Sequence, residues 1–376
     1  MKDHPLRILH INSYYVSREL YKNIYDYQQS IGCMVRVFVP VRKGRNPAEF
    51  DRGDYTDLSF DFFKTDRYFF HIKHAKILKD IKTRYDGFQY DIMHAHTLFS
   101  NGYIAYRIKK EYGLPYIVTV RNSDVNTFFK YAFHLRRLGR QIMEEAEMVI
   151  FLSETYKEYV LNTYVDKKRK DVILKKSVVL TNGIDEFWFR NIAEGPRNIR
   201  EEKKLNLISV GTIDKNKNHE TVLNVVKRLR EEGYLVKWKV IGKIVDEKIY
   251  RRLIRSEAAE YESPMPKEKL REEYARSDIL VMPSVTESFG LAYAEAMTQG
   301  VPVIYTKGQG FDRQFPDGTV GYPVECYDIE GIGNAIKSIV EDYPRLSANC
   351  IEYVGKFRWN HINEKYMEIF NKISNR

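Results

Sequence analysis

Three cysteines in a chain of 376 residues, Cys33, Cys326 and Cys350, are too few and too scattered for a disulfide framework or a cysteine-based zinc knuckle. No apolar run approaches the roughly 18 residues that cross a bilayer. The opening MKDHPLRILHINS enters a strand pattern at once and shows no apolar signal segment. Together these absences lead us to expect a cytoplasmic protein. Several nucleotide and metal motifs are missing too. The glycine pairs Gly308/Gly310 and Gly331/Gly333 lack the third glycine of G-x-G-x-x-G, and no Walker A segment is present. No two aspartates stand two residues apart, so a D-x-D metal clamp is excluded and no metal site is expected. Solenoid-type repeats and low-complexity stretches are also missing.

What is present is an ordinary globular composition, 43% hydrophobic and 30% charged, in a length suited to two domains. The balance is basic, 61 Lys and Arg against 51 Asp and Glu, with 28 Tyr and 20 Phe. Such a surface attracts an anion: nucleic acid, a nucleotide or an acidic membrane. No nucleic-acid recognition motif accompanies the charge, so no nucleic-acid partner is expected.

Strand-length apolar bursts alternate with longer amphipathic stretches. The first set is Leu6–Ile11, Val35–Val39, Asp91–His94, Tyr116–Val120, Met148–Leu152 and Val178–Thr181. The second is Leu205–Val210, Val236–Ile241, Ile279–Met282 and Val301–Tyr305. Helical patterns such as Arg67–Tyr85 and Leu135–Glu147 lie between them. The alternation reads as βαβ units on parallel sheets. It predicts an α/β chain with Rossmann-like domains at 1–185 and 204–355, a polar linker at 186–203 and a terminal helix at 356–376. That helix has an apolar stripe at Ile362, Tyr366, Ile369 and Phe370.

The most informative stretch runs from Pro283 to Met297, PSVTESFGLAYAEAM. It leaves a buried strand and enters a helix, at the sheet edge where open α/β sheets bind ligands. Gly290 lets backbone approach a ligand closely, and the helix N-terminus offers free N–H groups to a phosphate. Glu287 sits in the loop and Glu295 about two turns later. Ionised carboxylates there suit recognition of hydroxyl groups.

This segment resembles the family-4 glycosyltransferases of the GT-B fold, whose hallmark is two glutamates separated by seven residues. Here these are Glu287 and Glu295, within P-S-x-x-E-x-F-G-L and followed by Gln299–Ile304. The resemblance implies two domains facing across a cleft, with the terminal helix returning to the first domain. It implies that Glu287 contacts the transferred sugar and Glu295 the ribose, with Ser288, Phe289, Gly290 and Leu291 at sugar and diphosphate. Gly211–Asn218 resembles the family's G-R-L-x-x-x-K segment. Lys217 falls in register to neutralise the leaving diphosphate, but Thr212 stands where the family has Arg. Gly242 matches the strand end beside the base. Asn182–Asp185 and Gly308–Asp312 match weaker turn motifs.

In the first half, Asp91–His96 matches a D-I-x-H-x-H strand end. Residues 121–124 align with H-G-x-D, with Arg121 at the His and Asn122 at the Gly. Asn12–Ser13–Tyr14–Tyr15 replaces a G-G loop. The resemblance thus places Ser13, Tyr14, His96, Asn122 and Asp124 on the acceptor or sugar side and Arg121 in a catalytic role, compensating Thr212. The ordinary alternative for His94 and His96 is a pair of polar core histidines. The implied reaction is retaining and metal-independent, with a nucleoside-diphosphate sugar as co-substrate, UDP favoured over GDP, and no other cofactor. The expected acceptor is a lipid-linked or polysaccharide-precursor glycan of a bacterial cell envelope. A non-catalytic sugar-nucleotide or glycan binder on the same fold is the rival. On Arg67–Tyr85, Phe70, Ile77, Leu78 and Ile81 share a helical face and Lys73, Lys76 and Lys79 lie off it. That stripe either packs on the sheet or docks on an anionic membrane, peripherally on the inner face.

Overall fold

The computed structural model describes residues 4–199 and 201–374, which form two compact units. Unit 1 is Met1–Leu152, Lys157–Thr181 and Trp359–Arg376; unit 2 is Ser153–Tyr156 and Asn182–Arg358.

Unit 1 is built on strands β1 (Arg7–Ile11), β2 (Met34–Arg42), β3 (Thr56–Phe62), β4 (Ile92–Ala95), β5 (Tyr116–Val120), β6 (Met148–Phe151) and β7 (Ser177–Val179). They form one sheet in the order β3-β2-β1-β4-β5-β6-β7, with every pairing parallel. Every residue of β4 and β5 is buried, as expected for strands covered on both faces. Unit 2 repeats the plan with β8 (Lys204–Val210), β9 (Leu235–Ile241), β10 (Glu260–Glu262), β11 (Ile279–Met282), β12 (Val303–Thr306) and β13 (Gly321–Val324). Their order is β10-β9-β8-β11-β12-β13, again all parallel. Both orders reverse direction beside the first strand, between β1 and β4 and between β8 and β11. Such a reversal point is where open α/β sheets bind ligands, in a crevice beyond the carboxyl ends of the strands.

Three strands lie outside the sequence reading: β3, β10 and β13. All three are sheet edges. The segment 186–203 is also not the polar linker expected. Asp185 accepts the Phe187 N–H at 2.7 Å and caps the short helix Glu186–Arg190. That helix buries Trp188 and Phe189 in the unit 2 core with Tyr274, Phe289 and Phe357. Further on, Arg197 donates to the Ser277 carbonyl at 2.7 Å. Aromatic anchors and a guanidinium thus hold this segment to unit 2.

The terminal helix Trp359–Ser374 belongs to unit 1. Ile362, Tyr366 and Phe370 pack with Ile24 and Tyr25, and Asn363 donates to the Asn23 carbonyl at 3.0 Å. Ile373 continues the buried stripe, while Ile369 is only half-buried. Phe370 is fully buried and stands edge-on to His10. Phe370→Ala should therefore cost unit 1 about 3–5 kcal/mol in urea unfolding. A loss under about 1 kcal/mol would show that the helix is not part of that core.

Candidate functional site

In unit 2 the crevice between β8 and β11 is framed by the loops after β8, β11 and β12. Gly242, at the end of β9, lies flat on the first of these. A Cβ there would come within 1.8 Å of the Gly211 carbonyl oxygen, so only glycine allows this approach. The β8 loop folds on Asp214, whose carboxylate accepts the Lys217 N–H at 3.0 Å and the Thr212 hydroxyl at 2.7 Å. Thr212 thus shapes the turn and brings no positive charge. The turn presents Lys217, whose Nζ donates to Glu287 Oε2 at 2.6 Å across 70 residues of chain.

Two asparagines register the loops. Asn216 Oδ1 accepts the Thr286 N–H and hydroxyl at 3.0 and 2.6 Å, and Asn216 Nδ2 donates to the Thr286 carbonyl at 3.0 Å. Asn218, with a left-handed backbone (φ 53°), donates to the Pro283 carbonyl at 3.1 Å. From the β12 loop, Gln309 Oε1 accepts the Glu287 N–H at 2.9 Å, and the Gly310 N–H donates to the Glu287 carbonyl at 2.7 Å. Asn216, Asn218 and Gln309 hold these loops in register, and the sequence reading did not single them out.

After Glu287, Ser288 and Phe289 lead to Gly290 (φ 81°), which caps the helix Leu291–Thr298. The helix thus opens at this sheet edge with no side-chain cap, and first-turn N–H groups lacking an intrahelical partner suit an anion. Phe289 itself is buried against Phe357 and anchors the loop from behind. Glu295 lies one face further along the helix, and Tyr274 donates to it at 3.4 Å. Burial raises the Glu295 carboxyl to about 7, and Asp185 adds to the effect. The structure therefore unites Lys217, Glu287, the Gly290–Leu291 turn and Glu295 on one sheet edge.

Unit 1 treats its predicted residues differently. Asn12 accepts the Tyr14 N–H at 2.9 Å and opens the turn Ser13–Val16; the Tyr14 hydroxyl meets Ser123 Oγ at 2.6 Å. Asn122 accepts from Asn126 at 3.2 Å. Ser13, Tyr14 and Asn122 are half-buried at the carboxyl edge of the sheet. His96 and Asp124, expected on the sugar side, are instead fully buried. Asp124 accepts the N–H groups of Leu98, Phe99 and Arg121 at 2.9, 3.1 and 2.9 Å; burial still raises its carboxyl to about 6. It organises backbone. Arg121, expected to be catalytic, turns inward, donating to the His96 carbonyl at 3.2 Å with its guanidinium over Tyr21.

His10, His94 and His96 form the one group among the described residues whose ligand atoms converge closely enough for a metal ion. His10 bonds His96 at 3.1 Å and Gln28 at 2.7 Å, and His94 bonds Thr119 at 2.9 Å. Burial holds all three imidazoles neutral. These are core histidines bonded mainly to one another and to neutral side chains, the ordinary alternative that the sequence left open. Their sheet-end position is in unit 1, whereas the anion crevice belongs to unit 2.

Two family profiles match almost end to end: Glycosyltransferase Family 4 over residues 21–186 and Glycosyl transferases group 1 over residues 192–357. The chain is a family-4 glycosyltransferase of the GT-B fold. As such it is an enzyme that transfers sugar from nucleotide sugars. The D-inositol 3-phosphate glycosyltransferase of Corynebacterium kroppenstedtii is 24% identical over 312 residues, covering 75% of this chain and 68% of that protein. In fold, the chain is similar to sucrose-phosphate synthase from Thermosynechococcus elongatus (TM-score 0.75, 17% identity, 98% and 99% of the two chains). It is similar also to HepE of Anabaena, solved with UDP and glucose (TM-score 0.66, 14% identity, 98% and 100%).

The raised Glu295 carboxyl has a signed consequence for this glycosyltransferase. A carboxyl held above its unfolded-state value favours the folded chain at acid pH, and that advantage is lost as pH rises through about 7. Glu295→Gln should then be more stable than wild type by about 2–3 kcal/mol near pH 8, with the gap closing toward pH 4. Urea titration at both pH values measures it. A constant gap would mean that Glu295 is not a desolvated acid.

Proposed function

We propose that this glycosyltransferase moves a sugar from a nucleoside-diphosphate sugar, UDP favoured, to a hydroxyl acceptor with retention at the anomeric carbon. The observation that carries the reading is the Lys217–Glu287 pair beside the N-terminus of helix Leu291–Thr298. A diphosphate seated on the helix N–H groups draws Lys217 toward its oxygens, which frees the Glu287 carboxylate to accept from sugar hydroxyls. Glu295, deeper on the same helix, suits the ribose hydroxyls. In the step itself the anomeric carbon–phosphate oxygen bond breaks while the acceptor oxygen bonds the same face. The acceptor proton passes to the leaving diphosphate. Positioning and stabilisation of the growing phosphate charge are then the protein's contribution, and Lys217 with the helix terminus supplies it without a metal. The UDP preference is supported by the nucleotide held by the Anabaena neighbour.

For the acceptor we favour a lipid-linked or polysaccharide-precursor glycan of a cell envelope, met at the anionic inner face of a membrane by an enzyme that is otherwise cytoplasmic. The net charge of +10 supports an anionic surface. Among the described residues no helix is long and apolar enough to cross a membrane.

Lys217→Ala or Glu287→Gln should lower turnover by at least about 10²-fold while the fold survives. Turnover near wild type in either variant removes the role assigned to it. NMR of the first-formed product, made in the presence of EDTA, should show the donor's anomeric configuration retained. Inversion would overturn the retaining reading, and product that forms only after Mn²⁺ or Mg²⁺ is added would overturn the metal-free one.

A further inference from the structure

Of the two readings left open for the helical stripe in Arg67–Tyr85, packing holds: the stripe turns into unit 1. Ile77, Leu78 and Ile81 are buried under the helix Phe70–Arg84. Lys76 is paired with Asp66 at 2.7 Å. Lys73 is half-buried with its Nζ over the Phe62 ring. Among the exposed apolar groups of unit 1, one set lies a turn earlier and another on a second segment. Tyr68, Phe69 and Ile72 are 70%, 60% and 52% exposed, and Tyr131 and Phe133 are 66% and 65% exposed. Phe70 joins the two segments by standing edge-on to Phe128 at 6.3 Å. Apolar side chains this exposed lose the hydrophobic gain of burial, and four rings with one isoleucine on adjoining segments form a patch.

Cations interleave with these rings. Arg67 lies over Tyr68 at 4.8 Å, Lys130 over Tyr131 at 5.3 Å and Arg136 over Phe133 at 4.3 Å. The stretch 127–137 holds Lys130, Arg136 and Arg137 and no carboxylate. In the first segment Asp66 is already neutralised by Lys76, which leaves Lys64 and Arg67 in excess. Both segments follow carboxyl ends of strands, β3 and β5, so they flank the edge that carries Tyr14 and Asn122.

We infer that Tyr68, Phe69, Ile72, Tyr131 and Phe133, with Lys64, Arg67, Lys130 and Arg137, form a docking surface for an anionic lipid bilayer. The inference rests on the proposed lipid-linked acceptor and names the surface that meets its membrane. Aromatic and aliphatic groups enter the headgroup boundary, and the cations meet lipid phosphates. An aliphatic Ile72 among the rings suits an apolar medium, whereas a single-stranded polyanion rewards rings by stacking alone.

The test is co-sedimentation with vesicles of pure phosphatidylcholine and of equal parts phosphatidylcholine and phosphatidylglycerol. Wild type should bind the mixed vesicles and release them as salt rises. Lys64→Glu with Lys130→Glu should lower partitioning at least about tenfold, at about a kilocalorie of attraction per cation. Phe69→Trp supplies a reporter, since Trp188, Trp238 and Trp359 are all buried. Its emission should shift to the blue only on anionic vesicles. Equal partitioning to both vesicle types, an unchanged double variant, or a reporter that stays water-exposed while an oligonucleotide binds would each overturn the inference. Hydrolysis of the donor without acceptor should be unaffected in the double variant. Vesicle binding by a chain that transfers its sugar only to water-soluble acceptors would overturn the lipid-linked acceptor alone.

Discussion

A parallel strand cannot be followed by its neighbour through a tight turn; the chain must cross back outside the sheet, usually as a helix. Every strand in both units obeys this constraint, so all carboxyl ends gather on one edge of each sheet. The helices that follow start at that edge and present their unpaired N–H groups there. Where the order reverses between β8 and β11, the two adjacent loops have room to face each other. Lys217 and Glu287 come from those two loops. Their 2.6 Å ion pair is a consequence of topology before it is a feature of chemistry.

What could be read from the sequence follows the same physics. Interior strands such as β5 and β11 are buried on both faces and leave unbroken apolar runs. The strands that escaped notice, β3, β10 and β13, each have one neighbour. An edge strand keeps polar residues, as in the Glu260–Glu262 strand, and its pattern merges with loop. The polar segment 186–203 misled for a related reason: two buried aromatics, Trp188 and Phe189, anchor it, and they are too few to give a period.

In the site, Glu287, Glu295, Lys217 and Gly290 were legible because a motif carried them. Asn216, Asn218 and Gln309 were not, since each acts by bonding backbone that is distant in sequence, and an asparagine in a polar loop carries no mark of its partner. Burial explains the residues assigned too much. His96 stands at the end of β4 and Asp124 opens the helical turn after β5, where ligand-facing and core-facing side chains have the same local sequence. The structure turns both inward, and Asp124 spends its acceptors on three backbone N–H groups.

The excess positive charge therefore does not serve the anion crevice alone. Lys217 already faces a carboxylate, and Thr212 brings a hydroxyl that is bound to Asp214. An approaching diphosphate meets a nearly neutral pair and a helix terminus worth about half a charge. If Lys217 changes partner as proposed, the strongest electrostatic gain falls where phosphate charge grows during the reaction. The charge left over sits elsewhere, much of it in segments 63–79 and 127–137 of unit 1, interleaved with exposed rings. On the proposed reading, a nearly neutral Lys217–Glu287 pair and a basic outer face would divide the two tasks that +10 charges could serve: one lysine for the chemistry, and many cations for attraction to a surface.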